Sequence, residues 1–273
     1  MRIIVSLLIL QFAHLDQLKG QHSNFNSQSN WSLNKRELQF GLGATQFTGD
    51  LGGTPEIGTD YSLRDINVQS TGFAAWLGYR QRFHPLFATT TSFCLFGLKG
   101  DDALSQNPIR NSRNLNFKST TFEMQQRIEC IFYSVERFGA RYRLPGTHYA
   151  KNRNEQYYFF TGIGLMKFNP KGYYNGEWYE LQPLRTEGQG LKGGPELYKR
   201  YTFTIPIGIG FRVGISRMWR LGIEATYVKT FSDYIDDVSG VYYDPNKMQS
   251  GIASYFSNPA QQNLDWFRIG DQR

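Results

Sequence analysis

The chain has 273 residues, of which 40% are hydrophobic, 16% aromatic and 19% charged, with 28 glycines and a formal net charge of +7. This composition is too apolar for a disordered chain, and its charge content is below that of a long coiled coil. After the N-terminus, no apolar run is long enough to cross a bilayer as a helix, which excludes a helical membrane protein. A membrane β-barrel remains open, because barrel strands carry apolar residues only at alternate positions.

The N-terminus has the features of an export signal. Arg2 gives a positive start, and residues 3–13 form an apolar stretch of signal length. A buried first helix or strand is the alternative. The predicted organisation is therefore a signal peptide over 1–20, a polar linker over 21–35 and an outer-membrane β-barrel over 36–273.

Cysteine content and charge distribution limit the function classes. Cys94 and Cys130 are the only cysteines, too few for a disulfide scaffold and outside any metal-type cluster. Two unpaired apolar cysteines are favoured over a single bridge, which would need an oxidising compartment. The lysines and arginines are spread along the chain, which together with the export signal argues against nucleic-acid binding.

Seven segments alternate apolar residues with small or polar ones at a period of two, which predicts half-buried β-strands. In chain order they cover residues 37–45, 71–83, 86–98, 122–132, 157–166, 201–214 and 220–227. The third is strand-like in composition but blurred in alternation. The sixth is the clearest, because its apolar face is unbroken from Tyr201 to Val213.

The second face of these segments carries glycines, arginines and glutamates. In a narrow barrel, inward-pointing charges can pair with each other while glycines give them space, and the apolar face then meets lipid. A soluble barrel would need an outer face dotted with glycine, which weakens strands. We therefore expect an all-β fold, namely a small antiparallel transmembrane β-barrel of the eight-strand type. Its expected location is the cell outer membrane, whose lipid would be a partner.

Connection lengths agree with this orientation, because bacterial barrels have short periplasmic turns and long outer loops. The predicted short turns are 83–85 and 215–218. The predicted long loops are 49–69, 99–116, 168–199 and 231–263. Bacterial barrels normally have an even number of strands, so either 264–270 serves as a short eighth strand or the closing strand is missing.

Seven charged residues fall on the predicted inner face. They are Arg80, Arg82, Glu123, Arg127, Glu129, Arg212 and Glu224. We predict an ion-pair network that plugs a small barrel, with catalytic carboxylates as the alternative.

The link 134–156 is long where a short periplasmic turn is expected. Its basic residues make it a candidate contact for a periplasmic partner. They are Arg137, Arg141, Arg143, Lys151 and Arg153.

Motifs for catalysis and cofactor binding are not evident in the sequence. The four histidines have no metal-type spacing, and no serine lies in a G-x-S-x-G elbow. Residues 188–193 match G-x-G-x-x-G, but no strand leads into them and no helix follows, which favours a flexible loop. Four aspartates between 233 and 244 match no calcium loop and favour a solvated surface loop. We expect no enzyme activity, no cofactor and no metal.

Three stretches, 37–53, 158–190 and 205–245, resemble the PorG-like outer-membrane proteins of Bacteroidetes. The resemblance covers most of the chain after the signal. Loop sequences that are not generic to barrels carry it, and they are 169–171, 178–184, 186–190 and 231–240.

This resemblance implies a non-enzymatic component of the type IX secretion system, which exports proteins across the outer membrane and supports gliding motility in some members. The family's barrel is taken to anchor the periplasmic ring formed by a lipoprotein and its partner. In relatives a further aromatic strand usually follows a segment like 268–273, so closure of the barrel is in doubt here. The rival functions are a passive channel for small solutes and an outer-membrane enzyme acting on lipid or sugar.

Overall fold

The structure is a computed structural model that describes residues 30–49, 51, 68–104, 108–137, 153–216 and 218–260. The predicted signal peptide, most of the predicted linker and the segment 264–270 lie outside the described residues. The last part of that linker forms a 3-10 turn, Asn30–Asn34, in which the Trp31 ring lies 5.7 Å from the Arg82 guanidinium.

The described chain is mostly β-structure. Its strands are β1 (Arg36–Thr45), β2 (Gly72–Arg82), β3 (Phe87–Asp101), β4 (Asn116–Arg137), β5 (Arg153–Lys167), β6 (Pro170–Tyr174), β7 (Glu177–Glu180), β8 (Tyr201–Gly214) and β9 (Arg220–Thr230). In the described connections lie three short α-helices: α1 (Pro108–Arg113), α2 (Leu181–Leu184) and α3 (Gly251–Ser257). None of the helices in the described ranges has the length and hydrophobicity that a membrane-spanning helix needs.

The nine described strands form one antiparallel sheet, and seven of them make its main path in the order β1-β2-β3-β4-β5-β8-β9. These are the seven predicted strands, and their existence is confirmed. The sheet curls into a half-barrel with β1 and β9 at its edges. The curl brings the two edges near each other. Glu37 Oε1 of β1 lies 2.9 Å from Arg220 Nη1 of β9.

Two connections are more ordered than predicted. β4 continues to Arg137 and pairs with β5 back to Arg153, so the two ends of the predicted link 134–156 are strand. The register shifts between Ile131 and Tyr133, which breaks the period of two and hides the continuation in the sequence. The predicted loop 168–199 contains the β6–β7 hairpin, which extends the sheet where β6 pairs with β4.

The two faces of the sheet have opposite polarity. Its outward face exposes large apolar side chains, with Phe40 70% and Ile223 74% exposed, whereas Arg80 and Glu129 on the concave face are 0% exposed. Other exposed apolar residues are Leu38, Leu42, Phe73, Leu77, Phe93, Phe122, Ile128, Phe132, Ile163, Phe203, Ile209 and Leu221. Alternation along each strand therefore sends apolar groups outward and polar groups inward.

Loops at one end of the half-barrel pack around a second core, which we call the cap. Its buried residues are Leu51, Leu98, Leu115, Phe117, Met166, Phe168, Leu181, Tyr198, Ile235, Val238 and Phe256. The cap joins the β3–β4 connection, the β5–β8 connection and the segment after β9. Long loops that would otherwise be independent are thereby held in one unit.

The predicted solvated acidic loop is wrong for two of its aspartates. Asp236 and Asp237 are 2% and 0% exposed. Asp237 accepts hydrogen bonds from Thr186 Oγ1 at 2.5 Å and from the Tyr198 hydroxyl at 2.6 Å. The neighbouring sequence shows that these aspartates are polar, but it does not predict their burial. Their burial depends on the β5–β8 connection, which packs over them.

Candidate functional site: the charged interior

The charged interior is assembled from side chains of five strands on the concave face. Each strand turns alternate residues inward, and the curl of the sheet brings distant strands within side-chain reach. Arg80 lies on β2, Glu129 on β4, Arg212 on β8 and Glu224 on β9. The network is therefore a product of tertiary structure and not of any local motif.

Glu129 is the most deeply enclosed carboxylate of this interior. Arg80 Nε lies 2.7 Å from its Oε2. Arg212 donates to both of its oxygens, at 3.1 and 3.2 Å. The Thr90 hydroxyl adds a fourth hydrogen bond at 2.6 Å. A buried carboxylate with this set of donors stays charged at low cost, because each oxygen has replaced its water partners.

Glu224 forms the second centre and shares Arg212 with the first. Arg127 Nη1 lies 2.9 Å from Glu224 Oε2, and Arg212 Nη2 lies 3.3 Å from Oε1. The Tyr158 hydroxyl donates to the same Oε1 at 2.6 Å. Arg212 thus links β4 to β9 through two carboxylates.

Three further charged residues complete the interior and were not predicted. Glu37 lies 3.2 Å from Arg80 Nη1 and 2.9 Å from Arg220 Nη1. Glu136 pairs with Arg82. Arg220 lies four residues before Glu224 on the same face, and Glu37 begins the first alternating segment, so the inward position of both could be predicted from the alternation. The inward position of Glu136 could not, because this residue lies past the register shift.

Glu123 lies among amide and hydroxyl donors in the interior. It lies on the concave face and is 3% exposed. Within the described residues, its hydrogen bonds come from Gln125 Nε2 at 2.7 Å and from the Thr204 hydroxyl, not from an arginine. Its membership of the ion-pair network stays a prediction, since an amide and a hydroxyl are the donors nearest to its oxygens.

Aromatic rings fill the space that glycines leave inside the sheet. The Tyr158 ring lies where a Cβ on Gly210 would project, and the Phe160 ring does the same at Gly208. These rings face cations, with Arg212 4.1 Å from the Tyr158 ring centre and Arg127 4.4 Å from that of Phe160. The glycines therefore admit rings that stack on the arginines, which the sequence alternation alone did not reveal.

The interior is balanced in charge and crowded. Among the described residues, it holds five arginines and five glutamates. They are Arg80, Arg82, Arg127, Arg212, Arg220, Glu37, Glu123, Glu129, Glu136 and Glu224. The described ranges contain no group of three or more histidine, cysteine or acidic residues suited to a metal ion. The arrangement holds strands together and fills the interior.

The basic residues predicted to contact a partner are only partly described. Arg137 and Arg153 pair through their backbones at the ends of β4 and β5, and their side chains are not described. Arg141, Arg143 and Lys151 lie outside the described residues. Topology puts this end of the sheet opposite the cap.

Both cysteines are free, as predicted. Cys94 lies opposite Glu123 and Cys130 opposite Phe87 along the same strand pair. Alternation turns Cys94 to the concave face and Cys130 to the outward face, so the two thiols cannot meet.

Comparison with known protein families, with curated proteins and with solved structures gives no match for this chain. The class of protein is therefore defined by the fold and the charged interior alone: an antiparallel half-barrel that is apolar outside and ion-paired inside.

Proposed function

We propose that the chain is an outer-membrane β-barrel protein and a non-enzymatic component of type IX secretion that anchors the periplasmic ring to the outer membrane. The observation that carries the membrane location is the inverted polarity of the sheet. Its convex surface is covered with exposed apolar side chains, whereas its concave surface is charged. Soluble monomers rarely expose apolar patches larger than a few hundred Å², and lipid removes this cost.

A barrel in lipid needs its two free edges paired, because unpaired backbone groups cannot face hydrocarbon. β1 and β9 are the edges of the described sheet, and the Glu37–Arg220 ion pair spans the seam between them. We therefore expect an eighth strand to pair with both edges. The segment 264–270 remains the candidate for that strand.

The secretion role rests on the resemblance of the loop sequences to PorG-like proteins, and the position of those loops supports it. Leu181 and Val238, from two of the resembling segments, are buried in the same cap core. Thr186 of the resembling segment 186–190 donates a hydrogen bond to Asp237 of the resembling segment 231–240. The distinctive sequence is therefore concentrated in one packed unit, as expected if a common structure constrains it.

The anchoring role needs a contact on the periplasmic side. The β4–β5 end lies opposite the cap, and the segment between these strands carries Arg141, Arg143 and Lys151. Basic side chains at the membrane surface suit an acidic face on a ring protein. This end is therefore our candidate for the ring contact.

Deleting the gene tests the proposal. Secretion cargo should accumulate in the periplasm while other outer-membrane barrels assemble normally.

Re-expression of the wild type should restore export. The triple variant Arg141→Glu, Arg143→Glu, Lys151→Glu should not restore it at an equal level of barrel in the membrane. Purification from membranes should recover the ring lipoprotein with the wild type only. Normal cargo export in the deletion strain would refute the secretion role.

A further inference from the structure

A row of three lysines crosses the outward face of the sheet at its cap end. Lys99 of β3 lies directly opposite Lys118 of β4, and Lys118 lies directly opposite Lys171 of β6. Residues that oppose each other across neighbouring strands lie on the same face, and alternation places Lys118 on the outward face with Phe122. Three ammonium groups therefore project from adjacent strands on one side of the sheet.

The described residues neutralise only part of this charge. Like charges that lie directly opposite each other destabilise a sheet. Lys171 Nζ lies 3.7 Å from Glu180, and Arg200 lies 3.1 Å from the same carboxylate. Lys99 and Lys118 form no ion pair with any residue in the part of the chain that the structure describes. One carboxylate is therefore shared between two cations while two lysines have none.

A second carboxylate on this face does not remove the imbalance. Asp101 lies two residues beyond Lys99 on β3, and its Oδ1 accepts a hydrogen bond from the Ala103 amide at 2.9 Å. The three lysines of the row and Arg200 carry four positive charges, against two negative charges on Asp101 and Glu180. The surface therefore keeps an excess of positive charge.

The row lies just beyond the apolar band, at the depth of lipid headgroups. The outward pair Leu95 and Phe122, 42% and 57% exposed, lies four residues before the row along β3 and β4. Four residues span about 13 Å along a strand, or about 9 Å along the membrane normal at a tilt of about 45°. Lysine side chains are long enough to reach part of the way back. The ammonium groups therefore lie in the headgroup layer when the apolar band spans the hydrocarbon.

Aromatic rings and a fourth lysine lie beside the row. Lys118 Nζ lies 3.8 Å from the centre of the Trp178 ring, which is 41% exposed. Lys167 lies opposite Phe122 at the edge of the apolar band, and its Nζ is 5.7 Å from the centre of the Tyr201 ring. Trp and Tyr are enriched where a membrane meets water. These rings therefore agree with a headgroup depth for the lysines.

Small residues leave open surface between the apolar band and the row. Gly97 of β3 lies opposite Thr120 of β4, two residues before the Lys99–Lys118 pair. Nothing lies within 4 Å of a Cβ placed on Gly97, and Thr120 is exposed. A headgroup can therefore contact the sheet here while its oxygens reach the lysines.

We propose, on the basis of the membrane location proposed above, that Lys99, Lys118 and Lys171 with Lys167 bind the phosphate of an anionic lipid headgroup in the leaflet around the cap end. Charge complementarity identifies the phosphate, because its oxygens accept hydrogen bonds from several ammonium groups at once and its charge offsets their repulsion. Depth identifies a lipid, because its acyl chains then pack against the exposed Phe122 ring, a contact that a free phosphate cannot make.

The test is the dissociation constant of phosphatidic acid from the full chain, refolded in a neutral detergent and measured by native mass spectrometry. Lys99→Gln should raise this constant about fivefold, and the double variant Lys99→Gln, Lys118→Gln about 30-fold. The matched control Lys192→Gln, Lys247→Gln removes the same charge from exposed loop positions and should leave the constant unchanged. Heat-dependent gel mobility reports whether each variant is folded.

Equal dissociation constants for phosphatidic acid and phosphatidylcholine in the wild type would overturn the proposal. So would an unchanged constant in either folded variant of the row, or an equal rise in the control. Displacement of the lipid by inorganic phosphate at equal concentration would overturn a lipid as the occupant. A wild type that does not float with phosphatidylcholine vesicles would instead overturn the proposed membrane function, so the two failures are distinguishable.

Discussion

Arg212 is the residue that joins the two centres of the charged interior. It forms ion pairs with Glu129 and Glu224 and lies over the Tyr158 ring. Removing one partner of a buried ion pair leaves the other charge uncompensated, which costs more than the pair itself contributes. Arg212 therefore compensates two buried carboxylates at once, and it shares Glu129 with Arg80 and Glu224 with Arg127.

We expect Arg212→Leu to lower the free energy of unfolding by about 3–5 kcal/mol. Arg200→Leu is the control, because Arg200 pairs with the exposed Glu180 and such surface pairs contribute about 0–1 kcal/mol. Urea titration of the refolded protein in detergent measures both. Equal losses for the two variants would show that the interior pairs are not buried as described.

Gly210 provides a second test, of the packing of aromatic rings inside the sheet. A Cβ there would overlap the Tyr158 ring, so Gly210→Ala should displace the ring from Arg212 and cost about 1–3 kcal/mol. Gly97→Ala is the matched control, since nothing lies within 4 Å of its added Cβ. The same urea titration applies, and an unchanged midpoint for Gly210→Ala would contradict the packing.

At the scale of elements, the strands could be predicted and the cap could not. Period-two alternation is a local property, so it located all seven strands of the half-barrel. The continuation of β4 was missed because the shift between Ile131 and Tyr133 interrupts that period. The cap depends on contacts between distant loops, such as that between Thr186 and Asp237, which no local pattern encodes.

The cap should loosen independently of the strands. Tyr198→Phe removes one of the donors to the buried Asp237, which should cost about 1–2 kcal/mol and speed proteolysis within residues 231–260. Tyr243→Phe is the control, because its hydroxyl makes an exposed bond to the Lys192 carbonyl. Limited proteolysis followed by mass spectrometry gives the rates. Equal cleavage of the two variants would contradict a cap held together by this cluster.

At the scale of the whole molecule, the filled interior separates the secretion proposal from a passive channel. In the described residues, paired charges and stacked rings occupy the concave side of the half-barrel, and a small barrel closed around them would leave no aqueous path. The purified protein should therefore give no steady ionic current in a planar bilayer. A stable current from the wild type, with selectivity altered by Glu129→Gln, would favour the channel instead.

The central claim is that the convex, apolar side of the sheet faces lipid, and the native Cys130 on that side tests it directly. With Cys94→Ala, a fluorophore on Cys130 should be quenched by lipids carrying brominated acyl chains. The matched control carries Cys94→Ala, Cys130→Ala and Ser216→Cys, so its only fluorophore lies in the exposed β8–β9 turn. This fluorophore should be quenched by a water-soluble quencher and not by the brominated lipids. Quenching of the Cys130 probe from water alone, in folded protein that stays in the aqueous fraction without detergent, would contradict the account.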